Sequence, residues 1–343
     1  MSGTLEVLSC GPSVTVQDMG RRGYLAQGLT QGGAADRLAL HEGAALLGHP
    51  PTHAALEMVG TGGRFRATVA LRIALTGAPM TATLDDTPLA WNASHTLPAG
   101  AVLKIGGARS GTYGYLHVGG GIATPCILGA RSAHLSAGLG CALAAGDALP
   151  LGTDSGSITG LRLPVDDRFS GGTIRITPSV QTDQFDTATQ ERFCATPFHR
   201  DARANRMGVR MNHDTAPFMA ADQLGILSDV IVAGDIQIAG DGVPFVLMCE
   251  CQTTGGYPRI GTVLPCDLDR VAQAPAGAPL RFAFVTLAQA RSIEARAIAE
   301  RSALARTLTP LLRDPHSIRD LLSYQLVSGA ISATADPFST GEP

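Results

Sequence analysis

Short apolar runs, each closed by Gly, Pro or small polar residues, set the pattern of this chain. Residues 4–9 and 13–17 alternate as strands around a Gly11-Pro12 break. Runs at Ala55–Val59, Thr68–Thr76, Met80–Leu84, Ala101–Ile105, Tyr113–Val118 and Ala142–Leu149 follow at close spacing, punctuated by glycine pairs. A second series comprises Thr173–Thr177, Val230–Ala233, Ile236–Ile238, Phe245–Cys251, Gly261–Leu264 and Leu280–Val285. Such spacing predicts barrels or sandwiches. Helical periodicity is confined to Ala34–Leu47, stopped by Gly48-His-Pro-Pro51, to Leu287–Thr307, and to Ile318–Val327.

The polar, Gly-rich stretch 153–172 reads as a linker. It divides a first β-barrel domain (1–152, with a short helix at 34–47) from a second (173–286). A helix and a tail, loose after Gly329, fill 287–343. Pro98-Ala-Gly-Ala-Val-Leu103 is echoed by Pro275-Ala-Gly-Ala-Pro-Leu280, and Asp85-Asp-Thr-Pro88 by Asp241-Gly-Val-Pro244. The echo favours two related barrels over one large sandwich. The fold class is therefore mainly β with a few helices.

Composition narrows the chemistry. With 343 residues, 45% hydrophobic, 16% charged and a net charge of -3, the chain suits two cored domains and no nucleic-acid partner. Of its 26 basic residues only Lys104 is a lysine, between Leu103 and Ile105 in an apolar strand. That excludes a P-loop, a Ser-Ser-Lys amidase and a biotinylated lysine between methionines. Seven scattered cysteines, no signal-like start and no apolar run of spanning length predict a cytoplasmic protein with reduced thiols and no membrane segment. Cys249-Glu-Cys251 in a strand would send its thiols to opposite faces, and His49-Pro-Pro-Thr-His53 cannot form the helix of a zinc pair. No metal is expected. Gly119-Gly-Gly121 lacks the dinucleotide fingerprint and reads as a strand-to-loop turn.

Three constellations carry candidate chemistry. Thr15-Val-Gln-Asp18-Met-Gly-Arg21-Arg-Gly-Tyr24, followed by Gly33-Ala-Ala-Asp36-Arg37, places both charges at a loop and a helix start, where Asp36 is also a plausible cap. Gly-Ala-Arg-Ser occurs twice, as Arg109-Ser110 and Arg131-Ser132, pairing a guanidinium fork with a hydroxyl in a manner suited to carboxylate or phosphate. Gln252-Thr253-Thr254-Gly-Gly-Tyr257 offers an amide, two hydroxyls, a phenol and backbone N–H groups in one turn. The same stretch also reads as a hairpin whose glycines take positive φ.

These segments, with Leu75-Thr-Gly-Ala78, Gly119-Gly-Gly-Ile122 and Asn205-Arg206-Met-Gly208, resemble the allophanate hydrolase subunit 2 family, whose members are also called the C subunit of 5-oxoprolinase or KipA-like proteins. The resemblance runs from about residue 5 to about residue 290. It departs at Ala35, at Asn205 where Asp is frequent, and at Cys251 in place of an Arg. It implies cyclophilin-like β-barrels forming the A and B half of a biotin-dependent carboxyltransferase, inactive alone. The expected partner is a KipI-like protein, equivalent to allophanate hydrolase subunit 1 or the B subunit of 5-oxoprolinase. A biotin carrier, a biotin carboxylase or the A subunit of 5-oxoprolinase would complete the assembly. Carboxybiotin would be presented in trans, ATP used elsewhere in the complex, and the substrate a urea, amide or lactam. The other implied role is a non-catalytic regulator that antagonises a KipI-like kinase inhibitor. For the enzyme, Gln252, Thr253 and Thr254 become donors to a ureido or lactam carbonyl, with Tyr257 beside them. Asp18 or Asp36 becomes the base, and Arg109, Ser110, Arg131, Ser132, Arg21, Tyr24 and Arg206 become carboxylate or substrate ligands.

Overall fold

The protein is described here by a computed structural model covering residues 3–164, 167–221 and 227–312. The expected helix at Ile318–Val327 and the tail after Gly329 lie outside them. The described residues are mainly β with four α-helices.

Two antiparallel sheets face each other in the first half. One places Ala148–Pro150, Thr4–Cys10, Gly63–Ala67, Val102–Ala108, Met80–Leu84 and Thr87–Pro88 side by side. The other runs Thr15–Gln17, Ala55–Val59, Tyr113–Val118, Leu71–Gly77, Ala93–Leu97, Leu161–Arg162 and Thr309–Pro310. The period-two pattern sets their faces: Phe65 and Ala67 point inward while Arg64 and Arg66 stay in solvent. Leu5, Val7 and Leu103 meet Leu56, Ile73 and Leu116 in one core. Lys104, expected inside an apolar strand, lies on the exposed face of Val102–Ala108.

The second half is a closed barrel of Gly172–Thr177, Arg259–Val263, Asp235–Ile238, Pro244–Leu247, Gly208–Asn212, Phe198–Arg200 and Pro279–Phe284. A parallel pairing of Gly172–Thr177 with Pro279–Phe284 closes it. Phe193, Phe198, Phe218 and Phe282 fill it, with ring centroids 5.0–5.8 Å apart.

Helix α1 (Arg37–Leu47) starts three residues later than its periodicity predicts. Asp36 stays extended and caps it, accepting from the Ala39 amide at 3.0 Å. Gly48, at φ 66°, ends it. Helices α2 (Thr187–Ala195) and α3 (Pro265–Gln273) flank the barrel, and α4 (Leu287–Ala303) opens with a Thr286/Gln289 capping box. The last predicted turn of α4 tightens to 3-10 geometry at Leu304–Thr307. Leu304 and Leu308 then pack on Leu46 and Leu47 of α1.

Segment 153–172, expected as a linker, is largely bound to the first half. Leu161–Arg162 joins its sheet, Asp154 takes a two-pronged contact from Arg72 at 2.8 and 2.5 Å, and Arg168 is buried. Several expected strands are shorter, among them 13–17, which keeps only Thr15–Gln17, and Val230–Ala233, of which only Val230 lies in a strand, Asp229–Val230; two more have a local cause. Only Ala148–Pro150 forms from Ala142–Leu149, because Gly146 at φ 97° turns the chain before it. Phe245–Cys251 stops at Leu247, where the chain turns to direct Glu250 at Arg206.

Candidate functional site

The two halves meet across buried charge. Glu57, alone among apolar neighbours in Ala55–Val59, accepts from Arg206 Nη1 at 2.5 Å, from the Tyr115 hydroxyl at 2.6 Å and from the Ala35 amide at 2.8 Å. Arg206 also donates to Glu250 and to the Gly33 carbonyl, both at 2.6 Å. Each of its three nitrogens is thus engaged, so it holds the halves together rather than presenting a free fork. Asp36 has the same fate: its carboxylate accepts from Arg168 Nε at 2.8 Å, Gln273 Nε2 at 2.7 Å and the cap amide. Gln273 mimics a strand, accepting from the Thr112 and Tyr113 amides and donating to the Tyr113 carbonyl. Burial, with the Glu57 charge, pushes the Tyr115 phenol well up, so it stays a donor.

The predicted turn divides between two environments. Gln252 and Tyr257 line a cavity of about 520 Å³ on the barrel, together with Asn205, Gln237, Phe245 and Cys251. This joins the Asn205-Arg-Met-Gly and Gln252-to-Tyr257 motifs, 47 residues apart at Asn205 and Gln252, at one site. Thr253 and Thr254 are not among its walls. Thr253 instead gives its carbonyl to the Ile231 amide, and Thr254–Gly255 pairs with Asp229–Val230. Gly255 does not adopt the positive φ expected of it. A Cβ there would fall 2.6 Å from Gln237 Nε2 and 3.0 Å from Ile231 Cδ1, so close approach is what calls for glycine. That approach exposes a signal the sequence did not suggest. Gln237 is buried, it lines the cavity, and its Nε2 meets no acceptor among the described residues. Burial raises the neighbouring Cys251 thiol to about 12, leaving it a neutral wall.

A second cavity, about 330 Å³, opens between the halves. Arg21, Tyr24, Thr30, Arg37, Cys249 and Asp269 are among its walls. Asp269 accepts from the Arg37 amide at 2.9 Å, and burial with the nearby Asp36 charge pushes its carboxyl up to about 7. Behind Thr30, His134 lies 2.9 Å from the Thr30 hydroxyl and 3.9 Å from Glu250. Burial pushes its imidazole down, against the pull of Glu250.

Loops 15–24 and 127–133 bring the remaining predicted residues together. Asp18 accepts from the Arg131 amide at 2.6 Å and the Gly20 amide at 2.9 Å, so it fastens one loop to the other. Arg21 donates to the Ser132 carbonyl at 2.6 Å, and Arg131 to the Thr124 carbonyl. Arg21, Arg131 and Ser132 share a third cavity. Arg109 and Ser110 stand apart, exposed just beyond Val102–Ala108 and absent from these three cavities. Among the described residues no three His, Cys, Asp or Glu gather as metal ligands, and no helix is long and apolar enough to cross a membrane.

Residues 27–284 match the family model described as the carboxyltransferase domain, subdomain A and B. The chain is 33% identical to the C subunit of 5-oxoprolinase from Escherichia coli over 301 residues, 83% of this chain and 93% of that protein. The C subunit of the Haemophilus influenzae 5-oxoprolinase is 32% identical over 84% of this chain and 94% of its own length. Urea amidolyase of Saccharomyces cerevisiae is 25% identical over 84% of this chain, which spans only 17% of that larger protein. The solved structure of TTHA0988 superimposes with a TM-score of 0.75 at 28% identity, covering 82% of this chain and 56% of that one. The urea amidolyase of K. lactis gives 0.78 at 24% identity, a likeness of fold covering 91% of this chain and 21% of its own.

Proposed function

Since this chain belongs to the carboxyltransferase subdomain A and B family, we propose that it works within an enzyme complex acting at an amide, urea or lactam beside a KipI-like partner. The supporting observation is convergence: Gln252, Tyr257, Asn205 and Gln237, whose Nε2 has no partner among the described residues, line one cavity with an apolar floor. An amide-type substrate presents a carbonyl acceptor beside an N–H donor. Side-chain amides answer both. Asn205 Oδ1 already accepts from the Met207 amide at 2.8 Å, which leaves its NH₂ as a donor beside Gln237 Nε2 and the Gln252 amide. Donors fixed in place strengthen as charge gathers on the carbonyl oxygen, because no solvent must reorient around it. Phe245 and Leu247 give a ring an apolar face to lie on.

The same amides fit the ureido group of biotin. Carboxybiotin, brought by a separate carrier, supplies the carboxyl group, and Gln237, Gln252 and Asn205 would hold its ureido ring. Lys104 sits within a strand, flanked by Arg64 and Thr83 on its neighbours, which is no place for a biotinylated lysine. ATP is used elsewhere in the complex. Asp18 and Asp36 support loops and a helix in this reading, and neither serves as base.

The test is co-expression with the neighbouring open reading frames, then assays of ATP-dependent turnover with urea, 5-oxoproline and related lactams. Turnover that requires this chain is expected. A partner complex that turns over all these substrates equally well without it would refute the proposal.

A further inference from the structure

The third cavity, about 300 Å³, is walled by Arg21, Arg131, Ser132 and Thr124 with apolar side chains between them. Three side-chain atoms of these wall residues, Arg21 Nη1, Ser132 Oγ and Thr124 Oγ1, are buried and have no hydrogen-bond partner among the described residues. Arg21 and Ser132 are each only 2% exposed. Leaving one such group unmatched costs about 1–3 kcal/mol, and three together are unlike ordinary packing. Arg21 spends its other nitrogens on carbonyls, Nη2 on Ser132 and Nε on Ile127 at 3.4 Å, and makes no ion pair with a carboxylate among the described residues. A buried guanidinium with no ion pair among the described residues, beside two idle hydroxyls, is half of an oxyanion site.

We propose that this cavity binds a small monocarboxylate through Arg21, Ser132 and Thr124. A planar carboxylate matches a guanidinium edge flanked by hydroxyl donors. Asp147 also lines the cavity, and its negative charge selects against a dianion such as phosphate. Val16, Leu143 and Leu149 leave room for a compact apolar body. Asp18 keeps the Arg131 loop in register, which gives its buried carboxylate a positioning role here. The site is separate from the amide-lined cavity and does not depend on the acceptor assigned to it.

Isothermal titration of the full chain with sodium butyrate, and separately with inorganic phosphate, at constant ionic strength and pH 7.5 tests the proposal. Butyrate should bind, and phosphate should bind at least roughly tenfold more weakly. Ser132→Ala and Thr124→Val should each weaken butyrate about tenfold, one charge-assisted hydrogen bond's worth. Arg109→Ala, outside the cavity, should change nothing. Arg21 itself ties two loops together, so the hydroxyl variants carry the test. No butyrate binding, parent-like butyrate binding by both hydroxyl variants, or tighter binding of phosphate would each overturn it.

Discussion

Gln237 is the residue on which the acceptor reading turns. Its Nε2 is buried without a partner among the described residues and is approached so closely by Gly255 that a single methyl there would collide with it. A residue kept only for stability would not be left this way. Gln237→Leu should therefore preserve or raise the unfolding temperature, because an unmatched donor is removed, while turnover of the reconstituted complex falls. A loss of stability with turnover per folded molecule intact would assign Gln237 to structure. Gly255→Val should cost about 1–3 kcal/mol by overpacking Gln237 and Ile231, read as a lower urea midpoint at unchanged slope. The sequence pointed to Gln252 and Tyr257 because a Gly-rich turn with amide and phenol is unusual. It hid Gln237, since a glutamine alternating with isoleucines in Asp235–Ile238 looks like the outward face of a strand. Gln237 does face away from the barrel core formed by Ile236 and Ile238, and what buries it is Gly255, packed against its Nε2 and against Ile231.

Individual strands were legible where they are bounded by turns. Ala55–Val59, Met80–Leu84 and Tyr113–Val118 appear with their expected limits. The echoed segments fold alike: Ala101 and Ala278 donate to Pro98 and Pro275 at 3.2 and 3.0 Å, around Gly100 and Gly277 at φ 79° and 78°. Strands such as Phe198–Arg200 and Gly208–Asn212 were invisible, being short and rich in Arg and His that the barrel nevertheless buries or pairs. Helices α2 and α3 escaped too, since their apolar residues are sparse and their caps, Asp186 and Leu264-Pro265, resemble loops. What holds these elements to one another is the buried charge at Arg206. Replacing it by Met strands Glu57 and Glu250 without a cation, which should cost about 3–5 kcal/mol. Arg66→Met, which removes an exposed pair with Glu6, should cost under about 1 kcal/mol. Urea denaturation of both variants checks the contrast, and equal losses would mean that the interface network is not what joins the halves.

The whole molecule should carry the imprint of that interface in its pH dependence. Asp269 titrates at about 7 in the folded chain, above the ordinary carboxylate value it has when unfolded. The folded state therefore binds the extra proton between those two values. Stability from this group is full at low pH and is lost as pH rises towards 7, then stays flat. Asp269→Asn keeps an acceptor for the Arg37 amide and removes the buried charge. It should raise the unfolding temperature at pH 8 by at least about 2 °C and leave it nearly unchanged at pH 4. A variant that is less stable than the parent at pH 8 would show the carboxylate to be favourable there.

The most direct measurement is the turnover of the reconstituted complex carrying Gln252→Ala, taken alongside the thermal unfolding of the variant chain. Gln252 is exposed and lines the amide-rich cavity, so its loss removes a donor without disturbing packing. A fall in kcat of about 10²–10³ with an unfolding temperature close to that of the parent is expected. Turnover per folded molecule equal to the parent's would contradict the placement of the acceptor in this cavity.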